Sequence, residues 1–291
     1  MIPNTIKKQI CAVIVSYEPD ESIIKLYKSI KEQVDEVLIV DNASSCKESK
    51  DILEILSKDV KIIYNDNNYG IAKALNQGAK YAIDNNYKWL LTLDQDSEFI
   101  QGTYSLLLNA YELLPDKNKT MLIAPQYKEK INIKTINNIS LPDIKKITWK
   151  NKSFIITSGS LIKTEVFNLI GFFEEKLFID KVDVDFCFKL KRKGYLCKIS
   201  KNIFFLQQLG NPKYKFLFKI ANLSPERRYY SSKNAVYMFK TYFFCCPFKT
   251  LIMLFRSSLL FAPLKILLFE KNKIKKIKNI YKGLIEGIFN Y

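Results

Sequence analysis

The 291-residue sequence has no histidine, which removes Ser-His-Asp hydrolysis, Cys-His proteolysis and every His-ligated zinc site from the chemistry open to it. Acid–base work near neutral pH then falls mainly to carboxylates. Glycine is scarce, at nine residues, and none is arranged as G-x-x-x-x-G-K-[ST] or G-x-G-x-x-G, so the usual phosphate-cradling loops are missing. A nucleotide, if bound, is gripped by other means. The six cysteines, at 11, 46, 187, 197, 245 and 246, form no C-x-x-C pair; a disulfide framework or zinc ribbon is not expected, and a reducing cytoplasm is. Near the start, the apolar run from Ile10 to Tyr17 is cut short by Glu18 and Asp20, which reads as a buried strand and not a secretory signal.

Acidic residues thin out along the chain. Net charge is −4 over residues 1–100, +8 over 101–210 and +13 over 211–291, against +17 in total. A basic tail on a near-neutral body calls for an anionic partner, a membrane surface or a nucleic acid. Against nucleic acid, the lysines sit in an apolar tail and do not alternate with aromatics on a sheet.

What is present in the first hundred residues is an alternation of short β-branched runs with helical patterns, the signature of βαβ units and a parallel sheet. Strands are predicted at 9–16, 36–41, 60–64 and 88–93, and helices at 20–32, 47–57 and 71–86. A doubly wound open sheet carries its ligands beyond the carboxyl ends of its strands. Those ends read Ser16-Tyr17, Asp41-Asn-Ala-Ser44 and Asp94-Gln-Asp-Ser97, which lines three carboxylates and several hydroxyls along one rim. Beyond it, a strand is expected near 121–126, a polar variable loop up to about 152, an apolar strand over 154–162 broken by Ser158-Gly-Ser160, and a helix from Thr164.

Each motif has a bland reading beside the chemical one. Asp94-Gln95-Asp96 presents two carboxylates suited to a hard divalent cation with diphosphate oxygens completing its shell, or a capped turn. Asp41 can accept the N3–H of a uracil or thymine ring, or make an Asx-turn. Gly70, Ala74 and Gly78 fall on one helical face, where small residues serve helix-on-sheet packing; Asn68 and Asn76 are left unexplained by packing. In Asp180-Lys-Val-Asp183-Val-Asp185, helical geometry gives Asp183 the apolar neighbours Phe186, Cys187 and Leu190, and gives Asp185 the cations Lys189 and Arg192. Asp185 is therefore expected to be solvated and ion-paired, Asp180 to cap the helix, and Asp183 to be an aimed carboxylate, a buried cap or a general base.

Taken in order, Ala12-Val-Ile-Val-Ser-Tyr17, Val40-Asp-Asn-Ala-Ser44, Asn68-x-Gly70-x-x-x-Ala74-x-Asn76-x-Gly78, Leu93-Asp-Gln-Asp-Ser97, Phe178-Ile-Asp-x-Val-Asp183 and Arg227-Arg-Tyr-Tyr-x-x-Lys-Asn234 resemble family 2 glycosyltransferases of the GT-A fold, in their rhamnosyltransferase-like branch. The resemblance implies an α/β, mostly parallel Rossmann-like sheet flanked by helices over residues 1–210, with a helical extension over 211–291. It implies inverting transfer from a nucleotide sugar, commonly dTDP-L-rhamnose, to a lipid-linked oligosaccharide or polysaccharide acceptor, with a UDP-hexose or UDP-galactofuranose as the alternative donor. By that likeness Asp183 is the base, Asp96 and Asp94 hold Mg2+ or Mn2+, and Ser16, Tyr17, Asp41, Asn68, Asn76, Asp94 and Arg228 line the donor site. Relatives often carry a His before Leu-Gly where this chain has Gln207, an amide oxygen in place of imidazole.

In the tail, Leu251–Phe269 is apolar except around Arg256, Pro263 and Lys265, a poor spanning helix that suits a bilayer interface. Lys271–Lys282 follows with six lysines and no acid, fit for anionic headgroups. The expected location is cytoplasmic, on the inner face of the cell membrane.

Overall fold

In a computed structural model, residues 9–129, 140–207, 213–215, 218–220 and 223–291 are described. The chain divides into two compact units, Met1–Phe173 with Phe186–Gln208 and Glu174–Asp185 with Leu209–Tyr291.

The first unit opens with β1 (Ile10–Ser16), α1 (Ser22–Ile30), β2 (Glu36–Asp41), α2 (Lys47–Leu56), β3 (Lys61–Tyr64), α3 (Gly70–Asp84) and β4 (Trp89–Asp94). The four strands shift by no more than one residue from the sequence expectation, because each is a short apolar run; β1, β2 and β4 are buried on both faces, whereas β3 at the sheet edge is partly exposed. All pair in parallel, β3-β2-β1-β4. Helix α1 turns Ile23, Leu26 and Ile30 inward, the i, i+3, i+7 stripe of a helix covering a sheet. In α3, a Cβ at Gly78 would lie 2.4 Å from the Val13 side chain, so glycine there lets the helix settle on β1.

After β4 come β5 (Ser97–Glu98), α4 (Thr103–Glu112), β6 (Thr120–Glu129), β7 (Trp149–Lys152), β8 (Ser160–Lys163), α5 (Val166–Ile170), α6 (Val182–Arg192) and β9 (Leu196–Gln207). Among the described residues the nine strands form one mixed sheet, ordered β3-β2-β1-β4-β8-β6-β9-β5 with β7 beside β9. The parallel half is the one read from the sequence. In the other half β6 and β9 are parallel to each other, whereas β8 runs antiparallel to β4 and β6, and β5 and β7 run antiparallel to β9. The strand expected over 154–162 is shorter and later, since Ser153–Gly159 runs as irregular chain and pairing begins at Ser160. Gly159 takes φ +81 there, beneath the rings of Phe205 and Phe99. Part of the expected polar loop, residues 130–139, lies outside the described residues.

The second unit contains the hairpin β10 (Lys213–Lys215) and β11 (Phe218–Ile220), then α7 (Pro225–Tyr242), α8 (Pro247–Leu254) and, after a π-helical turn at Phe255–Leu259, α9 (Phe261–Phe269) and α10 (Lys273–Asn290). Ser224 caps α7 by accepting the Arg227 N–H, with Pro225 at the first helical position, a standard helix start. Helices α7 and α10 touch backbone to backbone: a Cβ at Gly283 would lie 2.2 Å from the Tyr229 carbonyl oxygen. Arg228, Glu270 and Lys276 form a buried ion cluster, with Lys276 Nζ 2.8 Å from Glu270.

Candidate active site

The carboxyl ends of β1, β2 and β4 lie side by side in the first unit, with Ser16 opposite Asp41 and Val15 opposite Asp94 in register. Asp41 is buried, its Oδ1 accepting from Ser16 Oγ at 2.8 Å and Ser44 Oγ at 2.6 Å, and its Oδ2 from the Ser44 N–H at 2.9 Å. An ionised carboxylate has about four acceptor sites, so one on Oδ2 is left for a further donor. Ala43 holds φ 62 in this turn, which lets the chain double back from Asp41 to Ser44. Tyr17 is half exposed, and its N–H donates to Gln95 Oε1 at 3.0 Å while Gln95 Nε2 donates back to the Tyr17 carbonyl at 3.4 Å. This amide exchange ties the β1 end to the Asp94-Gln95-Asp96 turn.

The turn is fixed from the opposite side as well. The Asp94 N–H donates to Ser158 Oγ at 3.1 Å, and Ser158 Oγ lies 2.7 Å from Ser97 Oγ. Because β5 pairs with β9 so that Ser97 faces Gln207, the Gln207 amide arrives beside Asp94, its Nε2 donating to Asp94 Oδ2 at 3.1 Å. Gln207 is buried, and its Oε1 finds no donor among the described residues. A buried unpaired acceptor is costly. Asp94 and Asp96, two residues apart on this turn, and the Gln207 amide carry hard oxygens of the kind that Mg2+ or Mn2+ takes. Among the described residues no group of three or more Cys, Asp or Glu side chains could hold a metal unaided, so substrate oxygens or water would complete the shell. Leu209 and Gly210, next along that motif, lie outside the described residues.

Two asparagines named from the sequence have local duties. Exposed Asn68 accepts the Gly70 N–H at 3.0 Å, a local turn bond just ahead of α3. Asn76 is buried and grips one peptide with both ends of its amide, donating to the Phe173 carbonyl at 3.0 Å and accepting the Phe173 N–H at 2.9 Å.

In the second unit, Asp183 stands at the start of α6, half-buried, with Oδ1 accepting the Val184 N–H at 2.9 Å. Loss of solvent pushes its carboxyl up to about 6, against the opposing pull of that N–H and of the Lys181 charge. A carboxyl in that range is partly ionised near neutrality and fit to take a proton. Asp185 corrects the sequence reading. It is fully buried and accepts from Tyr242 Oη at 2.7 Å. Helical neighbours on its own helix suggested solvent; the tyrosine comes from α7, which periodicity within α6 cannot reveal. Asp180 does not begin the helix but sits in the preceding turn at φ 67, with Arg227 3.4 Å away.

Arg228 also stands elsewhere than at an open rim, since its guanidinium is buried against Glu270. Its neighbour Arg227 is the half-exposed one and reaches Asp180. Sequence reasoning gave no role to Ser158, Gln95, Arg227 or Asn234. The first was visible only as a break in an apolar run, and the last only as the end of a matched motif.

Comparison with known proteins settles the class. The Glycosyl transferase family 2 profile matches residues 11–171, and the chain belongs to that family. It is a glycosyltransferase of GT-A fold. It is similar to the dTDP-rhamnosyl transferase RfbF of Shigella flexneri, at 31% identity over 96% of this chain and 95% of that protein. Among solved structures, GalNAc-T7 with UDP, GalNAc and Mn2+ aligns over 98% of this chain and 57% of its own, at TM-score 0.59 and 14% identity. S. aureus TarS 1-349 with UDP-GlcNAc aligns over 97% and 92%, at TM-score 0.54 and 16% identity. These last two likenesses are of fold.

Proposed function

We propose that the protein transfers L-rhamnose from dTDP-L-rhamnose, with inversion, to a lipid-linked glycan at the cytoplasmic face of the membrane, as a step in surface polysaccharide synthesis. The observation that carries the reading is the buried Gln207 amide meeting Asp94 beside Asp96, supported by the 31% identity to a dTDP-rhamnosyl transferase over nearly the whole chain.

On this reading Asp94, Asp96 and Gln207 hold a divalent cation, which when bound offsets the charge of a diphosphate leaving group. The remaining work belongs to the chain. Asp41 takes the thymine N3–H on the free acceptor site of Oδ2, with Ser16 and Ser44 fixing its carboxylate. The Tyr17–Gln95 exchange keeps the nucleoside side of the rim from shifting. Asp183 receives the proton of the acceptor hydroxyl as that oxygen attacks the anomeric carbon. Asn68 and Asn76 support the rim by holding the start of α3 and Phe173, and Arg228 holds α7 within the second unit.

The helical tail supplies the membrane contact in this proposal. Pro247–Phe269 is the one described helical stretch long and apolar enough to cross a membrane by length and composition, with 22% of its most apolar window buried. Phe248, Ile252, Leu260, Leu264 and Leu268 are exposed along it. Arg256, Pro263 and Lys265 favour a helix lying in the interface, with the lysines of α10 against anionic headgroups.

A panel of nucleotide sugars tests the donor. With Mg2+ or Mn2+ present, dTDP-L-rhamnose is expected to raise the melting temperature and to label a lipid-linked acceptor. Stabilisation by a UDP-hexose or UDP-galactofuranose alone would overturn the rhamnose assignment.

A further inference from the structure

The segment ahead of Asp183 is strained. Phe178, Asp180 and Lys181 take φ 53, 67 and 68, left-handed values that residues with side chains rarely adopt. Such conformations persist only where the surroundings over-determine them, and they cluster at functional sites. Here the over-determining element is α7, within the same unit. The buried Asn234 points Nδ2 at three carbonyl oxygens of the segment, those of Leu177 at 2.7 Å, Ile179 at 2.8 Å and Asp180 at 2.8 Å. Tyr230 stacks on Phe178 with centroids 4.8 Å apart, and Arg227 meets Asp180. Tyr242 holds Asp185, two residues past Asp183. Asn234 is the central fastening, because an amide nitrogen whose two hydrogens are shared among three carbonyls of one four-residue stretch fixes backbone direction, which ring stacking and an exposed ion pair do not.

We propose that Asn234 is a positioning residue for the transfer step: its amide keeps the 177–181 turn left-handed, and that turn delivers Asp183 at the first residues of α6. The proposal rests on Asp183 being the base. A carboxylate displaced by about 1 Å loses on the order of 100-fold in rate, so fastening the turn governs turnover and not donor binding. The groups that set the charge at Asp183 are Lys181 and Asp180 on the turn and Arg227 of α7 on Asp180. A relaxed turn admits water to Asp183 and lets its carboxyl fall back toward the ordinary range.

The test compares Asn234→Ala, Lys181→Gly, the double variant and Asp183→Asn. Asn234→Ala is expected to lower kcat by about 10- to 100-fold, to leave the affinity for dTDP-L-rhamnose within about twofold, and to move the acidic limb of kcat to lower pH. Glycine at 181 adopts positive φ without strain, so the double variant should recover part of the lost kcat. A variant defective only in α7 packing would gain nothing from that glycine. If Asn234→Ala does not fold, Asn234→Ser, which keeps one donor, is held to the same readouts. Unchanged kcat and acidic limb, with Asp183→Asn inactive, would overturn the positioning role. Full turnover by Asp183→Asn would instead overturn the base assignment.

Discussion

The two units handle polar groups in opposite ways. In the first, carboxylates and hydroxyls gather at the strand ends, where Asp41 and Asp94 stand in adjacent register and are fixed by Ser16, Ser44, Ser158 and Gln207. In the second, charge is turned inward, with Arg228, Glu270 and Lys276 buried together and Asp185 closed off by Tyr242, while apolar side chains of α8 and α9 face outward. The first arrangement is the one the proposed donor site draws on. The second has a charged interior and an apolar exterior, and Asp183 belongs to it.

Predictions sharpen that contrast. The largest effect is expected for Asp183→Asn, which should lower kcat by about 100- to 10,000-fold with donor affinity kept, as read by steady-state kinetics and calorimetry. The same change should stabilise the fold. Burial pushes the folded carboxyl up to about 6, against about 3.8 for a free aspartate, so the folded state holds its proton longer than the unfolded chain. The contribution of Asp183 to wild-type stability is thus fully present below about pH 4, is lost as pH rises, and is absent above about 6. Asp183→Asn should therefore be more stable at pH 7.5 by at most about 3 kcal/mol, less for solvent access, with the gain gone near pH 4. Paired chemical denaturation at the two pH values checks this.

Next comes Tyr242→Phe, which deprives the buried Asp185 of its 2.7 Å hydroxyl donor and should cost about 1–3 kcal/mol by urea denaturation. Gly78→Ala sets a Cβ against Val13 and should cost about 1–3 kcal/mol, read as a lower melting temperature. If Tyr242→Phe were neutral, the inward-turned charge of the second unit would have no structural weight. The smallest effect is expected for Gln207→His, which should tighten Mn2+ binding by up to about tenfold, measured by titration without donor.

The contrast also explains how far the sequence could be read. Strand ends are fixed by short apolar runs, so Ser16, Asp41 and Asp94 were placed by the alternation of β and α alone. Gln207 needed more: it reaches Asp94 across 113 residues of sequence, through the antiparallel pairing of β5 with β9, and only the family resemblance pointed there. Asp185 was expected to be solvated, and the contacts of Arg228 and Asn76 could not be foreseen, for one reason. Their partners Tyr242, Glu270 and Phe173 lie on other elements, and neither periodicity nor residue type carries that information. Residues 174–185 joining the second unit has the same origin, since it depends on the fastening by α7.

The central claim is that Asp94, Asp96 and Gln207 seat a cation that receives the donor's diphosphate. Calorimetric titration of dTDP-L-rhamnose into wild type and Asp96→Ala, with Mn2+ and with EDTA, tests it most directly. The account predicts binding strengthened by about tenfold or more by Mn2+ in wild type, and no metal effect in the variant. Equal affinity in both proteins, with and without metal, would contradict it.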